Sequence, residues 1–156
     1  MPTPFPFTTG QVLTASQMNE TANVPRAFVY NTTDLVMAAA AYTRFLYNSE
    51  DFDTHAMHST TTNTGRLTVQ TGWAGYYYFF ANAVLSAASS LVFYKNGTLY
   101  TYGDAGTQGS VSAILNLAVG DYIEVFGYPA GGATAYGTGS VGGRGHCFGC
   151  IWVAPS

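Results

Sequence analysis

The chain has 156 residues, 47% of them apolar and only 8% charged, with a formal net charge of -3. That length suits one domain, and the apolar content excludes a disordered chain. Five scattered basic residues give no electrostatic footprint for nucleic acid, and no apolar run is long enough for a membrane-crossing helix, so neither kind of partner is expected. An ordinary soluble domain is about 25% charged, so this surface is either built from Thr, Ser, Asn, Gly and Tyr or largely covered by partners.

Residues 1–25 differ from the rest. Pro2, Pro4 and Pro6 alternate with Thr3, Phe5 and Phe7, which imposes an extended segment. Thr14 to Gln17 reads as a capping box, opening a short helix to about Ala22 that Pro25 ends. So short a helix is marginal alone in water, and the arm needs something to dock on. Phe5, Phe7, Val12, Leu13 and Met18 are the apolar side chains it offers as an anchor. The segment from Met1 to Phe7 has no basic and apolar regions of the kind that make a secretory signal.

From Arg26 onward the pattern turns to strands, expected over 26–30, 43–47, 66–70, 76–84, 91–94, 111–117, 122–126 and 147–153. Turn residues punctuate them: Asn63-Thr64-Gly65, Trp73-Ala74-Gly75, Lys95-Asn96-Gly97, Val119-Gly120-Asp121, and a glycine-rich stretch from Gly127 to Gly145. Ala38 to Ala41 is too short to assign. Short strands at this spacing indicate an all-β antiparallel sandwich or jelly roll over 26–156.

Tyr76-Tyr77-Tyr78-Phe79-Phe80 is the most informative segment. Successive side chains of a strand point to opposite faces, so Tyr77 and Phe79 go one way and Tyr76, Tyr78 and Phe80 the other. One row fills the core; the other also needs a dry neighbour, and the chain has no spare helices to supply one. A second copy of the protein is the economical cover. The competing reading is a wide exposed tyrosine surface of the kind that binds carbohydrate. Phe93 and Trp152 belong to the same core or interface set.

The order of several segments resembles the C1q globular domain: Asn48, Thr64 to Thr68, Gly75 to Phe79, Tyr94 to Gly97, Leu117 to Val125, and Phe148 to Val153. The resemblance covers about residues 26–156. It implies a C1q/TNF-like jelly roll of about ten antiparallel strands that works as a homotrimer. Residues 54–63 depart from it as an insertion, and the collagen stalk of the animal proteins is absent. In its place, Phe7 to Asn19 resembles the N-terminal segment of many tailed-phage fibre and minor tail proteins. That second resemblance implies a virion protein attached to other virion proteins through its arm.

Motifs that could carry chemistry have plainer readings. Gly137 to Gly142 matches a dinucleotide fingerprint by letter, but Gly143-Arg144-Gly145 follows where a helix is required, and a flexible loop is expected. Cys147 and Cys150 supply two thiols where a zinc site needs three or four ligands, and at i and i+3 in a strand they face opposite sides; they read as buried apolar residues. Asp51, Asp53, His55 and His58 are weak candidates for a divalent ion, with a solvated polar loop as the plainer reading. No catalytic set and no cofactor are expected. The resulting expectation is a tail-tip or fibre adhesin that contacts a host glycan or protein through the loops 103–109 and 127–145, with Tyr100, Tyr102, Tyr128 and Tyr136 as contact residues. The alternatives are a capsid decoration or head fibre protein, and a secreted C1q-like ligand or lectin.

Overall fold

The structure is a computed structural model and describes residues 23–156; the extended and helical segment expected before them lies outside the described residues. The described chain forms β1 (Arg26–Tyr30), β2 (Leu35–Met37), β3 (Thr43–Arg44), β4 (Ser49–Asp53), β5 (Arg66–Thr68), β6 (Gly75–Lys95), β7 (Thr98–Leu117), β8 (Tyr122–Pro129), β9 (Ala133–Ala135), a single helical turn α1 (Thr138–Val141) and β10 (His146–Ala154). Each pairing is antiparallel. The sheet curls so that its two halves face each other. One half runs β4, β1, β10, the start of β6 and the end of β7. The other runs from β3 and β5 through β8 to the end of β6 and the start of β7. The short pair β2 and β9 joins β6 at Leu85. The fold is an antiparallel jelly roll of ten strands, as the resemblance implied.

The hairpin of β6 and β7 is the spine of both halves. Its turn is Asn96-Gly97, both at positive φ (51° and 76°), which is the geometry of a two-residue hairpin whose twist matches the strands. The segments expected at 76–84 and 91–94 are one strand of 21 residues, with register shifts between Val84 and Ser89 where it passes from one half to the other.

The core lies between the halves and is dominated by rings. Tyr47, Tyr77, Phe79, Phe93 and Phe148 are fully buried. Phe148 on β10 stacks on Phe79 (5.8 Å) and meets Phe93 from the opposite half (5.9 Å). Tyr77 keeps its hydroxyl satisfied by donating to the Trp73 carbonyl at 2.7 Å.

Two expected loops are not loops. Gly103 to Gly109 lies inside β7, paired with β6 at Ala83↔Gly109, Ser89↔Gly106 and Ser90↔Ala105. Its small residues carry no alternation to betray a strand, while Gly103 lets that backbone approach Ser110 and Val111 more closely than a Cβ would permit. The stretch 127–145 contains the end of β8, then β9 and α1, and is packed rather than a free loop. A side chain at Gly137 would collide with the Thr33 backbone, and one at Gly145 with the Tyr136 backbone.

Candidate functional site: two outward aromatic faces

The alternation expected for Tyr76 to Phe80 is observed. Tyr77 and Phe79 are fully buried, whereas Tyr76 is 41% exposed, Tyr78 is 39% exposed and Phe80 is half-buried. Phe93 is in the core, and Trp152 is half-buried at one end, edge-on to Trp73 with ring centroids 5.5 Å apart. The outward row continues across strands. Phe52 on β4, Phe28 on β1, Phe80 and Tyr78 on β6 form a ladder of stacked rings at 6.3, 6.0 and 6.0 Å. Gly149 on β10 lies between Phe28 and Phe80, and its missing side chain leaves room for the Phe80 ring. Ile114 on β7 and Ile151 on β10, both opposite Tyr78, extend this first face, with Val153 beyond; all three are exposed.

At the end of this face, Arg144 stacks on Tyr30 (3.7 Å to the ring centroid) and pairs with the Asp51 carboxylate through Nε (3.2 Å) and a second guanidinium nitrogen. Cys147, on the outward side of β10, is buried, and Cys150 on the inward side lies 3.7 Å from the Met57 sulfur. Both cysteines are free, and burial raises both thiols above their ordinary value, which suits inert apolar packing.

The second half of the sheet carries a different outward face. Tyr42 precedes β3, Tyr94 lies near the end of β6, Phe126 and Tyr128 are on β8 and Tyr102 is on β7. Tyr42 packs on Tyr128 (4.8 Å) and Tyr94 (5.8 Å), Tyr94 packs on Phe126 (4.1 Å), and the Tyr42 and Tyr102 hydroxyls are 2.8 Å apart. That hydroxyl pair pushes the Tyr42 pKa up to about 12. Val92, paired with both Tyr102 and Phe126, is fully buried beneath the rings. Beside them Arg44 donates to Glu124 at 2.9 Å.

Of the four contact candidates, the structure brings Tyr102 and Tyr128 together. Tyr100 is exposed in the same row of β7. Tyr136 is half-buried elsewhere, its N–H donating to the Val84 carbonyl and its carbonyl accepting from His146 Nδ1. Sequence reasoning missed Tyr42, which follows the Ala38 to Ala41 run and has no strand pattern of its own.

The weak metal candidates do not converge. Asp51 faces Arg144. Asp53 accepts from the backbone N–H of His55 (3.1 Å) and His58 (2.8 Å). His55 meets Thr54 Oγ1 and the edge of Trp73, and His58 lies between Glu50 (2.7 Å) and the Thr64 carbonyl (3.0 Å). These contacts order the 54–63 insertion, and among the described residues no group of three His, Cys, Asp or Glu side chains is placed to hold a metal. The fingerprint-like glycines hold α1, whose start is occupied by Asp34: its carboxylate accepts from the Gly137 N–H at 2.8 Å and from Ser140 Oγ at 2.7 Å. No described helix is long and apolar enough to cross a membrane.

No family model matches the sequence, and no curated protein sequence matches it. Solved structures do match the fold. The globular domain of zebrafish complement 1qA superposes with a TM-score of 0.59 at 16% identity, covering 85% of this chain and 99% of that one. Murine APRIL gives 0.59 at 14% identity, covering 83% and 98%. The PRD1 vertex protein P5 gives 0.60 at 10% identity, covering 84% and 98%. At these identities the likeness is one of fold.

Proposed function

We propose that this chain is a virion structural module: a homotrimeric C1q/TNF-like head that binds rather than catalyses, held to other virion proteins by residues 1–25. The first outward face carries the reading. A half-sheet with Phe28, Phe52, Tyr78, Phe80, Ile114 and Ile151 turned outward is a contiguous apolar surface, and the described chain provides no layer over it. Sister subunits related by a threefold axis would cover it. The resemblance of residues 26–156 to C1q domains supports the trimer, and that of residues 7–19 to phage tail proteins supports the virion. In this reading Phe5, Phe7, Val12, Leu13 and Met18 anchor the particle end, and the head projects as a tail-tip or fibre adhesin.

A second reading places the same trimer on the capsid, as a decoration or head fibre. The fold likeness to a vertex protein favours it. Immunogold labelling of particles distinguishes the two, since gold on the tail supports the first and gold on the head the second. Sedimentation equilibrium of the purified full chain tests what they share. A species of three chains is expected, and a monomer at micromolar concentration overturns both.

A further inference from the structure

Building on the head as a displayed binding module, we infer that the outward face of the second half-sheet is a glycan platform. It is formed by Tyr42, Tyr94, Tyr102 and Tyr128 and takes neutral pyranose units of a surface polysaccharide. The two outward faces of this molecule differ in chemistry. The first mixes rings with bare aliphatic side chains, Ile114, Ile151 and Val153, and suits a dry protein partner. On the second, the exposed rings of Tyr42 and Tyr102 carry hydroxyls, Phe126 is half-buried among the tyrosines, and Val92 lies buried beneath.

Phenols in this arrangement match a sugar in two ways. Ring faces accept the apolar C–H side of a pyranose, while hydroxyls at the ring edge exchange hydrogen bonds with its equatorial hydroxyls. The Tyr42 and Tyr102 hydroxyls lie 2.8 Å apart and can spend only one of their two hydrogens on each other, which leaves one donor and spare lone pairs free for a ligand. Beneath a dry protein partner these same groups would be left unsatisfied at a cost. The platform is also ordered in advance. Four strands or strand ends supply its rings: Tyr42 packs on Tyr128 (4.8 Å) and Tyr94 (5.8 Å), Tyr94 rests on Phe126 (4.1 Å), and Tyr102 is tied to Tyr42 by the hydroxyl pair, so side-chain freedom is already reduced before binding. The adjoining charges compensate each other: Glu124, with a side chain 7% exposed, is held by Arg44 at 2.9 Å. The Glu124 carboxylate is thus already neutralised by Arg44, which suits a ligand without charge. Tyr102, 60% exposed, is its most open member.

The test is affinity electrophoresis of the full chain in native gels cast with dissolved dextran, mannan or galactan, alongside sedimentation of the same samples. Retardation by at least one polymer is expected. Tyr102→Ala is expected to weaken it about tenfold, the scale of one lost aromatic contact. Tyr42→Phe, which keeps the ring and removes the hydroxyl pair, is expected to weaken it by a smaller factor. Val36→Ser, exposed on β2, should leave it unchanged. Absence of retardation with all three polymers, or retardation that survives Tyr102→Ala and Tyr42→Phe together, overturns the platform. So does binding of a protein partner through these tyrosines without retardation by any polymer. A trimer that shows no retardation removes the platform and leaves the structural module standing, whereas a monomer that is retarded does the reverse.

Discussion

Between Phe28 and Phe80 the middle strand carries Gly149, and a Cβ there would lie 2.5 Å from Phe80 Cζ and 3.0 Å from the Ala27 carbonyl. The Phe80 ring therefore rests over the β10 backbone, and the ladder of outward rings depends on that gap. Gly149→Val is expected to displace Phe80 and cost roughly 1–3 kcal/mol through overpacking, read as a lower urea midpoint with unchanged slope. A second residue-level node is Asp121. Desolvation pushes its carboxyl up, but hydrogen bonds from Asn96 Nδ2 (2.8 Å) and the Ala118 N–H (3.0 Å), with the Lys95 ammonium at 3.1 Å, outweigh this and hold it below 3.8. A carboxyl depressed in the folded state contributes stability above its unfolded pKa and loses it as pH falls through the folded one. The stability gap between wild type and Asp121→Asn, measured by urea titration, should be widest at neutral pH and close below about pH 3.8.

At the scale of elements, β10 begins with a fully buried histidine. His146 Nδ1–H donates to the Tyr136 carbonyl at 2.9 Å and so ties β9 and α1 to the sheet, while its ring packs edge-on against Phe45. Burial is the main cause that lowers its pKa below 6.5, against opposing contributions from the Tyr136 and Leu46 carbonyls and Asp34. The folded state thus holds a neutral imidazole where the unfolded chain holds a charged one, and stability present above pH 6.5 is lost as pH falls below it. His55, lowered by burial beside Trp73, acts in the same direction. His146→Gln is expected to have lower stability at pH 7 but a shallower loss between pH 6.5 and its folded pKa, read from thermal midpoints across that range. Elements with a strong period or a sharp turn were legible in the sequence. The two-sided aromatic run announced β6, and Asn96-Gly97 announced its hairpin. The Gly103 to Gly109 part of β7 was not legible, because its small residues follow the pairing imposed by β6 and have no pattern of their own. β2 and β9, three residues each, exist through their mutual pairing, which no local window contains. The same limit hid Tyr42, brought to Tyr102 and Tyr128 only by the curl of the sheet. Tyr136 illustrates the converse, a loop tyrosine by sequence whose backbone is bound from both sides.

On the scale of the whole molecule, the jelly roll sorts most of its described aromatic residues into three sets: a closed core and two outward faces on opposite halves of one curled sheet. Under the proposed function that sorting would assign assembly to one face and recognition to the other, so each role has its own set of residues to probe. Tyr78 and Tyr102 are matched probes, each an exposed tyrosine on the long hairpin, one per face. A charge placed at Tyr78 would lie amid the apolar first face, where a sister subunit would have to desolvate it without a partner. Tyr78→Asp is therefore expected to shift the sedimentation profile from trimer to monomer while far-ultraviolet circular dichroism stays that of a β-sandwich. Tyr102→Asp is expected to leave the trimer intact and abolish polysaccharide retardation. If Tyr102→Asp dissociates the assembly and Tyr78→Asp does not, the roles of the two faces are exchanged, and the aliphatic face around Ile114 and Ile151 must then meet something other than its own copies.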